Sequence, residues 1–307
     1  MNEFYFPSKD GNTEIHTIEW KPDCEVKAVL QISHGMVEYI KRYQEFAEYL
    51  AIRGFYVVGN DHLGHGKSVQ SREEYGFFHE IQGNACVIGD MHQLRLITEK
   101  KYPNIPYFML GHSMGSTLLR QYIRRYGKGL AGVILSGSVA NKPPALLKTA
   151  KSLCWLMAKS KGWHYRSKFI DDLSLGAYNK NYKQPETRAD WVTSDWDQLQ
   201  SYVNDPLCSF VFTVNGYYHM FDGMMQLQDK EAQLLIPRDL PILLAAGEQD
   251  PVGNFGIGIK EIMEEYRELG MKDVTMKLYP NDRHEILNER DRYDVFQDIV
   301  DWLSKRL

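Results

Sequence analysis

"YFMLGHSMGSTLL", residues 107–119, is the stretch on which the reading of this chain turns. It opens as an apolar, strand-like run, closes with a helical pattern, and sets Ser113 between Gly111 and Gly115 at the junction. A serine there is often no more than a helix N-cap, and GxSxG by itself occurs by chance. Between a strand and a helix, however, the pattern describes a nucleophile elbow. The serine occupies a strained turn that projects its hydroxyl, and the two glycines let strand and helix approach. The Met114 N–H then lies at a helix N-terminus, where donors and dipole favour an oxyanion.

Similar apolar runs recur on both sides of this stretch, at 28–33, 55–60, 132–137, 241–247 and 274–279, with helical patterns between them near 43–52, 84–101, 114–126, 257–269 and 293–306. Runs that are apolar throughout suit a parallel sheet buried on both faces, and strand–helix alternation suits a doubly wound α/β fold. The first twenty residues alternate around "SKDGN" and predict a hairpin. From about 138 to 235 the rhythm breaks into aromatics and polar turns. This segment is expected to be a helical cap (lid) inserted into a core formed by 1–137 and 236–307.

The bulk properties narrow the function. The 307 residues carry a net charge of −4, so no basic domain points to nucleic acid. There is no basic, apolar leader at the N-terminus and no run of about 18 apolar residues. Four scattered cysteines fit a reduced, cytoplasmic protein better than a disulfide scaffold.

Partners for Ser113 follow in the order Ser, Asp, His. "PILLAAGEQDPVG" ends a strand and sets Asp250 on the loop beyond it; "VTMKLYPNDRHEILNER" ends the next and sets His284 in a polar loop. Both fall at C-terminal strand ends, where open α/β sheets carry their sites. Asp222, Asp273, Asp282 and Asp291 are rival acids, but none follows a buried strand at the right place. His284 would accept the Ser113 proton and Asp250 would fix its tautomer. In "QISHGMVEY" the Met36 N–H is the expected second oxyanion donor. "DHLGHGKS" invites a metal or phosphate-loop reading, yet it lacks the helical HExxH pattern, and Asp61 stands where a phosphate loop needs glycine. No metal and no cofactor are expected, and the remaining histidines are expected to pack or hydrogen-bond.

Together these blocks resemble a known family. "HGMVEYIKRY", "DHLGHGKS", "GHSMGS" and "RHEILNE" are similar, in order from about residue 30 to 290, to segments of the monoacylglycerol lipases and bacterial lysophospholipases of the α/β-hydrolase superfamily. Val37 stands where the mammalian monoglyceride enzymes have glycine, and Tyr39 where the family often has histidine. The resemblance implies an α/β-hydrolase fold and a monomeric or weakly associating serine hydrolase with a helical cap and no cofactor. It also implies Ser113 as nucleophile, Asp250 as acid, His284 as base, and Met36 and Met114 as oxyanion donors.

The substrate must be read from the cap. Leu146, Ala150, Leu153, Cys154 and Met157 form a helical stripe, with Lys148, Lys151, Lys159 and Lys161 elsewhere. Packing over the core is the favoured reading of the stripe, although it would also serve as an acyl-tunnel wall; transient contact with a membrane or micelle surface is the other reading. The run 205–225, with Phe210 and Phe212 as candidate substrate-binding residues, would form an apolar wall. An apolar cap suits a monoacyl lipid ester, monoacylglycerol or lysophospholipid, better than a small charged ester. A short-chain carboxylesterase, an acyltransferase, a peptidase or a C–C hydrolase would use the same triad, and a non-catalytic acyl-binding protein would keep the fold without it. No obligate protein partner is evident.

Overall fold

The computed structural model describes residues 1–307. Its strands are β1 (Asn2–Pro7), β2 (Glu14–Trp20), β3 (Ala28–Ser33), β4 (Phe55–Asn60), β5 (Tyr107–His112), β6 (Gly132–Ser136), β7 (Ile242–Gly247) and β8 (Val274–Tyr279). They form one sheet in the order β1-β2-β4-β3-β5-β6-β7-β8. The expected hairpin is β1–β2, and β2 pairs antiparallel with β4; every later pairing is parallel.

Helices α1 (Gln44–Ala51), α2 (Gly83–Lys101) and α3 (Met114–Tyr126) connect the first parallel strands. Between β6 and β7 the chain runs through α4 (Pro144–Lys161), α5 (Lys168–Leu173), α6 (Leu175–Tyr178), α7 (Trp196–Asn204), α8 (Val214–Gln226) and α9 (Lys230–Gln233). Helix α10 (Ile257–Glu268) crosses from β7 to β8, and α11 (Arg292–Ser304) follows β8. No helix is long and apolar enough to cross a membrane.

Strand alternation divides the core in two. Leu30, Ile32, Phe108 and Leu110 point to the layer of α1 and α11, whereas Val29, Tyr107 and Met109 point to that of α2, α3 and α10. Each fully buried Leu or Ile contributes roughly 1.5–3 kcal/mol. Gln31, polar and buried in the middle of β3, is hydrogen-bonded at both ends: its amide donates to Met91 O (2.9 Å) and its carbonyl accepts from Tyr107 OH (2.6 Å). Strand β8 departs from the buried-throughout reading, since its middle residues alternate between exposed and half-buried. It is an edge strand, covered on one face only.

This topology positions the site. The chain leaves β3 toward β4 on one side and later returns to β5 on the other, so the order reverses between β3 and β5, with Ser33 beside Gly111. Open α/β sheets bind ligands in the crevice at such a switch point. Helix α3 starts there, and Met114 through Ile123 are all buried because β5 lies under it and α8 over it.

Candidate active site

Ser113 has φ +53° and ψ −116°, a left-handed conformation for a residue with a side chain. Such backbone costs roughly 1–3 kcal/mol and persists where its surroundings hold it. The holding bonds are Ser113 N–H to Ser136 O (3.0 Å) and Ser116 Oγ to Ser113 O (2.7 Å). The flanking glycines have the predicted purpose. A Cβ on Gly111 would run into the Gly115 carbonyl, and one on Gly115 into the carbonyl oxygens of Ser33 and His34. The Ser113 side chain borders the cavity described below, together with Met36 and Met114.

His284 Nδ1 donates to Asp250 Oδ2 at 2.9 Å, and both residues are buried. With Nδ1 so engaged, Nε2 keeps its lone pair and is the basic nitrogen. Asp250 Oδ1 accepts the Val252 N–H (2.8 Å), which fixes the carboxylate from its other side. Burial works against a charged His284, but the Asp250 charge and hydrogen bond outweigh it, and the ring is raised above 6.5. His112 lies against this ring with centroids 4.7 Å apart, and burial with the His284 charge pushes it down to about 3, so it stays neutral. The rival acids lie elsewhere: Asp222 pairs with Lys151 and Asp273 with Arg306, Asp291 begins α11, and Asp282 is buried in the loop before His284.

The turn after β3 passes close to the serine, where a Cβ on Gly35 would be 3.2 Å from Ser113 Cβ. Glu38 braces this turn. It accepts the Gly35 N–H and the Tyr43 hydroxyl (2.9 Å), and it meets Arg42 at 3.0 Å. Arg42 also forks onto Glu285, with both nitrogens at 2.7 Å. Burial raises the Glu38 carboxyl to about 7 although Arg42 opposes it. Burial would raise Glu285 as well, but the Arg42 charge and fork hold it down to about 2. "DHLGHGKS" proves to be support for the same turn: Asp61 accepts the N–H groups of Ile40 and Lys67 (both 2.8 Å) and faces His16 Nδ1 (2.7 Å). His62 and His65 are buried, and burial lowers both, His65 to about 4.

Trp191, Glu38, Arg42 and Glu285 surround the site without having been singled out in the sequence. Three of them lie in the motif blocks quoted above, where their spacing to Met36 and His284 was available as a signal. Trp191 had none: it reaches His284 (centroids 5.1 Å) from the insertion, whose backbone accepts the N–H groups of His284 and Glu285 at Trp191 O (3.3 Å) and Val192 O (2.8 Å).

Above Ser113 lies a cavity of about 410 Å³, walled mainly by apolar side chains of α4, α5, α6 and α8. Leu146, Ala150 and Leu153 of the predicted stripe line it, joined by Leu147, whereas Cys154 turns into the core. The stripe therefore serves both wall and core. From the 205–225 run, Met220, Phe221 and Met224 face the cavity, but Phe210 and Phe212 do not. Those two rings pack instead on Tyr75, His65 and Phe78 with centroids 5.1–5.8 Å apart, because that part of the run precedes α8 and faces the α2 side of the core. Leu146 and Leu173 line the cavity yet are more than half exposed (56% and 59%), which marks its mouth.

The chain is 26% identical to a monoacylglycerol lipase of Mycolicibacterium smegmatis over 304 residues, 97% of this chain and 95% of that protein. A thermostable carboxyl esterase of Bacillus coagulans, solved with glycerol, superposes with a TM-score of 0.91 at 29% identity, covering 99% of this chain and 98% of its own. A lipase solved in an open form does so with a TM-score of 0.90 at 26% identity and the same coverage. The family model described as serine aminopeptidase, S33, matches residues 24–291. With that match spanning strands β3 to β8, the segment between β6 and β7 and the His284 loop, the chain belongs to the S33 family of α/β-hydrolases.

Proposed function

We propose that this chain is a serine hydrolase that cleaves monoacyl lipid esters, monoacylglycerol or lysophospholipid, through an acyl-enzyme on Ser113. The observation that carries this reading is the apolar cavity of about 410 Å³ over Ser113, within the range of roughly 300–1,000 Å³ of ligand pockets. In this reading residues 138–235 act as a cap on the core formed by 1–137 and 236–307. The Ser113 hydroxyl attacks the ester carbonyl and passes its proton to His284 Nε2, while Asp250 holds the imidazolium. The N–H groups of Met36 and Met114 receive the oxyanion. The tetrahedral intermediate then expels the alcohol, which takes the proton from His284. Water, deprotonated by the same nitrogen, next attacks the acyl-enzyme and releases the fatty acid and Ser113. The strain held at Ser113 and the Asp250–His284 bond support these roles. The mouth residues Leu146 and Leu173, beside Lys148, suit a transient, peripheral approach to a lipid surface.

The family's name suggests an aminopeptidase as the competing reading. Such an enzyme must receive an ammonium group, yet no Asp or Glu lines the cavity and its one charged residue is Lys142. A cation in an apolar wall repels a peptide N-terminus, which favours the ester reading.

The test is hydrolysis of p-nitrophenyl esters of graded chain length, followed by a lipid panel with free fatty acid detection. Wild-type protein should be active on medium and long chains and Ser113→Ala should lose about 10⁴-fold or more. A wild type inactive on all esters, or an equally active Ser113→Ala, would refute the reading.

A further inference from the structure

The cavity wall contains one charge that the ester chemistry does not use. Lys142, on the segment between β6 and α4, lines the cavity beside Thr117, one helical turn along α3 from Ser113. Its backbone is anchored by Gln228 Nε2, which donates to Lys142 O at 2.7 Å. No carboxylate pairs with its ammonium, and burial with no opposing charge lowers it from the ordinary lysine value. Nearby cations differ in this respect: Lys151 of α4 pairs with Asp222, and Arg120 of α3 meets Glu265 at 3.2 Å.

A narrow recess opens beside it. The recess shares Thr117, Val139, Lys142 and Met224 with the cavity and adds Arg120 and Asn141, again with no acidic residue on its wall. Its free volume of about 10 Å³ admits a single oxygen-sized group, so an anion would rest at its mouth against Lys142 rather than inside it. The half-buried Lys142 ammonium is partly withdrawn from water with no partner, which costs free energy, and a charge-assisted hydrogen bond to an incoming anion recovers it. A lysine kept only to cover apolar surface would need its methylene stem and not its charge.

Building on the ester-hydrolase reading of Ser113, we infer that Lys142 selects monoacyl esters carrying an anionic group, phosphate or carboxylate, set off from the scissile ester by an apolar spacer. The anion then belongs either to the alcohol, as a glycerol phosphate, or to the far end of the acyl chain.

Binding is measured first, by calorimetry on Ser113→Ala protein, with decyl phosphate, decanoate and decanol. At least one anion should bind roughly tenfold more tightly than decanol. Adding Lys142→Met, which keeps the stem, should remove that preference, and Lys142→Arg should restore it. Turnover is then compared for monodecanoylglycerol, decanoylglycerol phosphate and the glycerol monoester of decanedioic acid. Lys142→Met should lower the ratio of anionic to neutral kcat/KM about tenfold, through KM. Which anionic ester responds identifies where the anion is carried. Equal affinity for anions and decanol, or a preference that survives Lys142→Met, overturns the inference. If wild-type protein hydrolyses no ester, the reading of Ser113 fails separately, while the binding arm still decides the role of Lys142.

Discussion

The C-terminal edge of the sheet and the helices that roof it hold side chains around Ser113 by different means. At the sheet edge, Met36, Ser113, Asp250 and His284 each follow closely on a strand end, β3, β5, β7 and β8 respectively. Ladder hydrogen bonds between adjacent strands set the register of those ends, so a few residues of loop suffice to aim each side chain. In the insertion, by contrast, cavity-facing residues come from helices that belong to no sheet and are held by packing and scattered hydrogen bonds. Tyr39 OH to Asp205 Oδ2 (2.8 Å) is one such bond, and Glu285 N–H to Val192 O is another. The lesson is that the sheet edge is precise and its function is local, whereas the insertion is adaptable and its function is collective. Substitutions at four positions probe that difference.

The largest effect is expected at the sheet edge. Asp250→Asn keeps the shape of the carboxylate but removes the charge that holds His284, and should cost about 10⁴-fold in kcat. The sign of the pH dependence follows from the His284 shift. Because the folded ring is raised above 6.5, the neutral base accumulates only as pH rises past a midpoint above 6.5, and activity should rise with it. The stability supplied by the imidazolium–Asp250 pair runs the other way: full below 6.5, lost as pH rises through the folded value. Rate profiles for both proteins check this; a midpoint that does not fall in Asp250→Asn would show that Asp250 is not what holds the ring.

Next in size is the brace beneath the edge. Arg42 is nearly buried between Glu38 and Glu285, so Arg42→Met leaves two buried carboxylates without a cation. Breaking a buried pair by removing one partner typically costs about 3–5 kcal/mol. Urea denaturation at neutral pH should show a loss of that order, easing toward acid pH as Glu38 and Glu285, both raised once Arg42 no longer opposes their burial, take up protons. A loss under about 1 kcal/mol would mean that the network is not a brace.

These two regions also explain what the sequence disclosed. Strand-length apolar runs read as buried parallel strands because both faces of β3 to β7 are covered, and β8 misled only because an edge strand still presents a buried face. Ser113, Asp250 and His284 stood out as candidates because each sits at a short distance beyond such a run, and the structure brings Asp250 and His284 into contact. The wall of the cavity was legible only as composition. Phe210 and Phe212 looked equivalent to Phe221 in a run of aromatics, yet which ring faces the cavity depends on where α8 begins and what it packs against. Trp191 and Lys142 carry no local signal at all, since each acquires its place from contacts with segments far away in the chain.

A smaller effect is expected in the wall. Leu153→Trp adds bulk to the face of α4 that lines the cavity. Long acyl esters should lose roughly tenfold in kcat/KM, as a change of a methylene or more in an apolar pocket is worth about 1–3 kcal/mol. Short acyl esters should change by less than about threefold. A uniform loss across chain lengths would place the acyl chain elsewhere.

The smallest effect, and the finest test of the precise edge, lies at Val37. Its φ of +57° is a left-handed conformation in a β-branched residue that is 3% exposed. That backbone costs an L-residue roughly 1–2 kcal/mol, whereas burial of the valine side chain contributes about 1.5–3 kcal/mol. Val37→Gly loses the burial and releases the strain, so the net destabilisation should be about 1 kcal/mol. Val37→Ala loses most of the burial and keeps much of the strain. Glycine should therefore be at least as stable as alanine here, the reverse of their usual order in regular structure, where glycine is worse by about 0.5–1 kcal/mol. If denaturation ranks alanine above glycine, the turn that carries the Met36 N–H is not strained. Its geometry would then have to come from the Glu38 and Asp61 hydrogen bonds alone.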